Sequence, residues 1–140
     1  MPTLEYFQKR GEGRLPAFIG IEFLEVVPKR AVARLRIREE HLAPNGFLHA
    51  ASVVALADTA CGYGCIASLP EGANSFTTIE LKTNFFGTAR DGAIRCEATL
   101  MHGGRTTQVW DATVYDEVTH KAIALFRCTQ MILYPKAKER

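Results

Sequence analysis

A single carboxylate interrupts the longest apolar stretch of the chain. Asp58 is the only charged residue between His49 and Glu71. A buried carboxylate costs free energy and needs a compensating role. That role could be structural, as an aspartate at a helix surface or one bonded to threonine or to the backbone. Because aspartate is a poor residue for a helix interior, we favour a functional role.

The loop PNGFLH, residues 44–49, leads directly into this stretch. The first backbone N–H groups of a helix lack partners and favour negative charge in front of them. Such donors can stabilise an oxyanion, for example the one that forms when a thioester carbonyl is attacked. The simpler interpretation is an ordinary Asn-Gly turn before a helix. His49, at the junction, could cap the helix, contact a ligand or act as a general base.

Other common catalytic chemistries find little support. The cysteines form no CxxC pair, and Cys61 and Cys65 lie in the apolar stretch, where thiols are inert. No histidine or further cysteine stands near them at the spacing of zinc ligands, and we expect neither a metal nor a cofactor. A Ser-His-Asp order and a nucleophile elbow are also missing. Unpaired cysteines fit a reduced compartment, so we expect a cytoplasmic protein.

Periodicity predicts the elements that must position these residues. The apolar run predicts a helix over about residues 50–68. Residues 31–37 alternate between apolar residues and arginines, which predicts a half-buried strand. A short helix over residues 4–10 ends at GEGRLP. Further strands are predicted over residues 21–27, 76–86, 93–101, 105–115 and 122–133.

These elements predict one α+β domain over residues 1–140, with its core at about residues 21–133. Short connections imply antiparallel strand pairing, and a lone apolar helix must be covered by the sheet, which we expect to curl around it. The open edges of such a sheet favour pairing with another subunit. The charged tail, residues 135–140, is predicted to fray.

Charge and composition exclude other classes. The net charge of +2 gives no reason to expect a nucleic acid partner. The N-terminus lacks the pattern of a signal peptide. Residues 50–69 could span a bilayer by length, but a charge at the centre and strands on either side favour a buried helix. We therefore expect no membrane association.

The stretch PNGFLHAASVVALADTA, residues 44–60, resembles the PaaI-type hotdog thioesterases, which carry Asn and Gly in a loop, then His, then an apolar helix. Their helix bears Asp or Glu nine residues after the His, which is the spacing from His49 to Asp58. TTIELKTNFF, residues 77–86, resembles a family strand, and HGGR, residues 102–105, resembles its hairpin. The resemblance implies a hotdog fold, in which a curved antiparallel sheet of five or six strands wraps one long helix.

The resemblance also implies an activity and roles for individual residues. The chain would hydrolyse an acyl-CoA as a homodimer or homotetramer, with Asp58 as general base or nucleophile. The N–H of Ala50 would polarise the thioester carbonyl. His49 and Asn45 would line the carbonyl or water site, and Gly46 would contact substrate. Thr77 or Thr78 would reach the site from the partner subunit.

Binding of CoA would require cations for its phosphates. Arg90 and Arg105, both at predicted turns, are the candidates, ahead of Lys82. Each could equally be a solvated surface charge.

The chain departs from the family pattern in two places, and two other functions stay open. Ala50-Ala51 replaces Gly-Gly after the His, and Ala43 stands where many relatives have an amide. An acyl-thioester dehydratase could pair His41 or His49 with Asp58. A non-catalytic acyl-CoA-binding protein is the third class, although a binding groove would gain nothing from a buried carboxylate.

Overall fold

The computed structural model describes residues 2–136, so the last four residues of the predicted frayed tail lie outside the described residues. Within residues 2–136 the chain forms three α-helices, a short 3₁₀ helix at Glu39–His41 and six strands. The helices are α1 (Leu4–Arg10), α2 (Leu15–Ile19) and α3 (Ala50–Ala67). The strands are β1 (Ile21–Val27), β2 (Arg30–Arg36), β3 (Ser75–Phe85), β4 (Ala93–Gly103), β5 (Thr107–Asp116) and β6 (Ala122–Leu133).

All six strands form one antiparallel sheet in the order β1-β2-β4-β5-β6-β3. The sheet curves around α3, which contacts every strand. The predicted fold, one long helix wrapped by a curved antiparallel sheet, is therefore confirmed. After α3 the chain forms β3 beside β6, at the far side of the sheet from β1. Strands β1 and β3 are therefore the two edges of the sheet.

Helix α3 lies in the hydrophobic core. Leu56, Ala57, Ala60 and Cys61 are fully buried against the sheet. It is long and apolar enough to cross a membrane by length and composition, and half of it is buried inside the protein. This burial confirms the interpretation of the apolar run as a core helix.

Gly64 allows α3 to approach the sheet closely. A Cβ at this position would lie 2.6 Å from Cη2 of the buried Trp110 ring. The indole Nε1–H of Trp110 donates to Oε1 of Gln108 at 2.8 Å, and Nε2–H of Gln108 donates to the carbonyl of Ser68 at 2.9 Å. A buried hydrogen-bonded pair on β5 thus holds the end of α3.

The two sheet edges differ in their protection. On β1, the side chain of Gln8 donates to the carbonyl of Ile21 at 3.1 Å and accepts from the N–H of Phe23 at 2.8 Å. These bonds occupy outward-facing backbone groups of the edge. On β3, Ile79 and Leu81 are 54% and 43% exposed. An apolar edge of this kind is the one suited to pairing with another chain.

One prediction near the N-terminus was incomplete. The segment that was predicted only to break α1 runs into a second helix, α2, with Pro16 in its first turn and Gly20, at φ +93°, after its end. Strand β2, predicted over residues 31–37, is confirmed with a shift of one residue, at Arg30–Arg36. Arg38, beyond its end, bonds through its guanidinium to the carbonyls of Phe18 and Ile19.

Candidate active site

Asp58 lies in the middle of α3 on the half-buried side of the helix that also bears Val54 and Ala55. Its Oδ1 is buried and has no hydrogen-bond partner among residues 2–136. Burial raises the pKa of this carboxyl group. One of the two structural alternatives, a bond to threonine or to the backbone, is not made by Oδ1. An unsatisfied buried carboxylate oxygen is costly, which favours a role in binding or chemistry.

The loop before α3 turns at Asn45 and Gly46. Oδ1 of Asn45 accepts the N–H of Phe47 at 3.1 Å, so this side-chain oxygen stabilises the turn. Gly46 has φ +85° and faces open space. The amide nitrogen of Asn45 and one acceptor position of Oδ1 stay available for water or substrate.

His49 caps the start of α3. Its Nδ1 accepts the N–H of Ala51 at 2.9 Å, and its carbonyl accepts the N–H of Ser52 at 3.0 Å. In a neutral imidazole an accepting Nδ1 leaves the proton on Nε2, which can then donate to a substrate carbonyl. The capping role that the sequence left open is therefore observed.

The N–H of Ala50 has no acceptor among the described residues, and Ala50 is exposed. It is the first residue of an 18-residue helix, where the macrodipole adds positive potential. This is the arrangement that an oxyanion requires.

Ala50 and Asp58 do not come together within one chain. They are eight residues apart on α3, which corresponds to a rise of about 12 Å. The side chain of Asp58 leans toward the start of the helix, but this shortens its distance from the N–H of Ala50 by only a part of the helical rise. A thioester carbonyl would have to lie about 3 Å from the N–H of Ala50 and about 3–3.5 Å from the group that attacks it at Asp58. Both conditions cannot be met by the two groups of one helix.

Thr77 and Thr78 lie near the start of β3, close to α3. The ring of Phe76, just before them, approaches within 3.0 Å of an ideal Cβ at Gly62, one turn after Asp58. The hydroxyl of Thr78 donates to Oε1 of the buried Gln130 at 2.6 Å and is therefore engaged within its own chain. Thr77 is exposed on the open edge strand and is the better placed of the two to meet a partner subunit.

Arg90 and Arg105 lie at opposite ends of α3. The guanidinium carbon of Arg90 lies 4.1 Å from the ring centroid of Phe47, just before the helix begins. Arg105 lines a surface pocket with Pro70 and Glu71, beyond the end of the helix. The two arginines therefore lie at opposite ends of an 18-residue helix that is about 27 Å long.

Two other groups with reactive side chains serve the fold. His41 is buried, with Nδ1 accepting from the N–H of Arg38 at 2.9 Å and Nε2 lying 2.6 Å from the carbonyl of Ile19. All four cysteines are buried and free. Burial raises the pKa of Cys65 to about 12, which agrees with the prediction of inert thiols.

A groove that the sequence did not predict lies beside the first turn of α3. It has a volume of about 400 Å³ and is lined by Leu15, Phe18, Ile19 and Ala51, with Arg38, Glu40, His41 and Ser52 completing its walls. The signal for its helical wall was present, because a proline at the start and a glycine after the end are typical of a helix. Its exposed apolar side chains could be recognised only in three dimensions.

Comparisons with known proteins identify the family. The family model described as Thioesterase superfamily matches residues 45–123. The 1,4-dihydroxy-2-naphthoyl-CoA hydrolase of Listeria monocytogenes is 33% identical over 111 residues, which cover 79% of this chain and 89% of the relative.

Solved structures agree on the fold. Thioesterase HI1161 from Haemophilus influenzae superposes with a TM-score of 0.91 at 24% identity, covering 100% of this chain and 96% of the other. The PaaI protein of E. coli superposes with a TM-score of 0.78 at 22% identity, covering 88% of this chain and 86% of the other. The chain therefore belongs to the thioesterase superfamily, as a thioester hydrolase with the PaaI-type hotdog fold.

Proposed function

We propose that the protein hydrolyses an acyl-CoA to the free acid and CoA, with Asp58 as the general base or the nucleophile. The observation that carries this proposal is the buried Oδ1 of Asp58 without a partner among the described residues. Support for a CoA thioester comes from the similarity to a naphthoyl-CoA hydrolase. The four free thiols are consistent with a reducing compartment such as the cytoplasm.

The active site combines two subunits. Because Ala50 and Asp58 of one α3 are too far apart to share a carbonyl, the N–H of Ala50 in one subunit serves the carboxylate of Asp58 in its partner. The open apolar edge of β3 is the surface through which two copies pair, whereas Gln8 blocks the β1 edge. Thr77 on that edge would then approach the site of the other subunit.

The reaction needs only protein groups and water. The N–H of Ala50 and Nε2–H of His49 donate to the thioester carbonyl oxygen. The Asp58 carboxylate takes a proton from water as the water oxygen bonds to the carbonyl carbon, and negative charge develops on the carbonyl oxygen. Collapse of the tetrahedral intermediate breaks the C–S bond, and the CoA thiolate leaves with a proton returned by Asp58. If Asp58 is the nucleophile, the same carboxylate forms an anhydride that water then hydrolyses.

The two other functions have less support. A dehydratase would need a free histidine near Asp58, but both ring nitrogens of His41 are engaged by Arg38 and Ile19. His49 uses Nδ1 to cap α3, so its remaining nitrogen, Nε2, carries the proton and is not available as a base. A non-catalytic role does not fit the membership in a family of thioester hydrolases.

Replacement of Asp58 by Asn tests the proposal. Asn keeps the size of the side chain but removes the charge, so kcat should fall by at least about 100-fold. Release of free thiol from a panel of acyl-CoA substrates, followed with a thiol reagent, measures this. Near-normal kcat on a good substrate would contradict the assignment of Asp58.

A further inference from the structure

The groove beside α3 is apolar because two large side chains of α2 face it without cover from the chain. Phe18 is 80% exposed and Leu15 is 61% exposed. A single exposed apolar residue is ordinary, but two that line one concave surface indicate a binding surface. A second concavity of about 590 Å³, lined in part by the same two side chains, continues the groove over α2.

Helix α2 is held firmly in place despite its five residues. Nη2 of Arg38 donates to the carbonyls of Phe18 and Ile19 at 2.9 and 3.0 Å. Nε2 of His41 lies 2.6 Å from the carbonyl of Ile19. These bonds satisfy carbonyls that so short a helix would leave free. Since His41 also accepts the N–H of His49 through its carbonyl, α2 is tied directly to the start of α3.

The groove lies next to the proposed position of the reacting carbonyl. Ala51, in its wall, follows the residue whose N–H is proposed to bind the carbonyl oxygen. The acyl group extends from that carbonyl on one side and CoA on the other. Arg38 and His41 already bond to carbonyls of α2, and the hydroxyl of Ser52 donates to the carbonyl of His41. The apolar part of the wall is therefore formed by Leu15, Phe18, Ile19 and Ala51, and Glu40 is its remaining charged group. Arg90, the cation better suited to a phosphate, lies apart from this groove on Phe47.

We propose that Leu15 and Phe18 bind the acyl group and select substrates with a bulky apolar or aromatic acyl group over short ones. This inference rests on the proposed function, which places the thioester carbonyl at Ala50. The groove volume lies within the range typical of small-ligand sites. Each carbon atom that the acyl group buries against these two side chains strengthens binding, whereas an acetyl group is too short to reach them.

The test compares acetyl-, butyryl-, hexanoyl-, octanoyl- and benzoyl-CoA with the wild-type protein, Phe18→Ala and Leu15→Ala. In the wild type, kcat/KM should rise by up to about fourfold for each buried methylene group. Phe18→Ala should lower kcat/KM for octanoyl- and benzoyl-CoA by about tenfold or more and change it for acetyl-CoA by less than about twofold. Leu4→Ala makes the same change as Leu15→Ala on α1, at a side chain that is 40% exposed, and should preserve the profile.

Three results would overturn the inference. An equal loss on all substrates would show that α2 does not recognise the acyl group. A changed inhibition constant for free CoA would show that the groove holds CoA instead. Dissociation of the oligomer with an unchanged acyl profile would identify the surface as a subunit contact. Asp58→Asn separates the two proposals. If Asp58→Asn is inactive and the acyl-CoA profile of Phe18→Ala equals that of the wild type, only the inference about Leu15 and Phe18 is refuted.

Discussion

Nδ1 of His49 accepts the N–H of Ala51 at 2.9 Å, and this bond leaves the N–H of Ala50 as an exposed donor without a partner among the described residues. The histidine therefore has two separable contributions. Its Nδ1 stabilises the first turn of α3, and its Nε2–H is proposed to donate to the substrate carbonyl.

Two substitutions at position 49 distinguish these contributions. His49→Ala should lower the free energy of unfolding by about 1 kcal/mol, as the loss of a helix cap does, and should reduce kcat. His49→Asn retains a good capping residue, so its stability should be close to that of the wild type while kcat stays low. Urea unfolding and thiol release measure the two effects. Full activity in His49→Asn would limit the histidine to capping.

Ala50→Pro deletes the proposed oxyanion donor with little effect on the helix. Proline is favoured at the first helical position, and His49, at φ −67° and ψ 136°, already has the extended conformation that precedes proline. We expect kcat to fall by about 100-fold or more, as for loss of an oxyanion-hole donor. Ala50→Gly, which keeps the N–H, is the matched control.

Mixed subunits test whether the site is shared. Equal amounts of inactive Asp58→Asn and Ala50→Pro chains should regain about a quarter of wild-type activity when they are refolded together. About half of the dimers are then mixed, and each mixed dimer contains one intact site of its two. Each variant alone should stay inactive. No recovery in verified mixed dimers would place both groups of a site in the same chain.

The buried carboxyl group of Asp58 links activity and stability to pH with opposite signs. Because burial raises the pKa of Asp58 above the ordinary value of an aspartate, the active carboxylate is lost as pH falls through that raised pKa, and kcat should fall with it. The same group stabilises the folded state most when protonated, and this contribution is lost as pH rises through the raised pKa. Asp58→Asn should therefore be more stable than the wild type at neutral pH, and the difference should vanish toward pH 3.8. An equal difference at both pH values would contradict this account.

The separation of Arg90 from Arg105 calls for single substitutions. Arg90→Ala should raise KM for acyl-CoA by about tenfold with a smaller effect on kcat, because a charge-assisted bond to phosphate is lost. Arg105→Ala, at the far end of α3, should raise KM only if it serves the partner's site. Steady-state kinetics with one substrate decides between these outcomes. An unchanged KM in both variants would remove the two arginines from the CoA site.

The two edge strands allow a matched test of subunit pairing. Leu81→Lys places a charge on the open edge of β3, and it should shift the protein to monomers and abolish activity. Leu24→Lys makes the same change on β1 at a side chain that is 39% exposed, and it should leave the oligomer intact. Sedimentation velocity and thiol release report both properties. A wild type that is monomeric at micromolar concentration would contradict the shared site.

Local sequence patterns determined the elements and the position of Asp58. The apolar run predicted α3 to within one residue, and the bounds of α1, β1 and β6 matched their predictions, because periodicity reports which side of an element is buried. The isolation of Asp58 in that run was likewise visible in the sequence. The order of strands in the sheet and the departure of β3 to its far edge were not.

The tertiary structure alone decided which groups meet. Arg38 bonds to α2 across about twenty residues of chain, and Thr78 bonds to Gln130 across 52, so no local pattern could reveal either contact. The same holds for the separation of Arg90 from Arg105, since it depends on where the β3–β4 connection and the β4–β5 hairpin lie relative to the ends of α3. The resemblance assigned Ala50 and Asp58 to one reaction, and helix α3 keeps the two groups of one chain too far apart for one carbonyl.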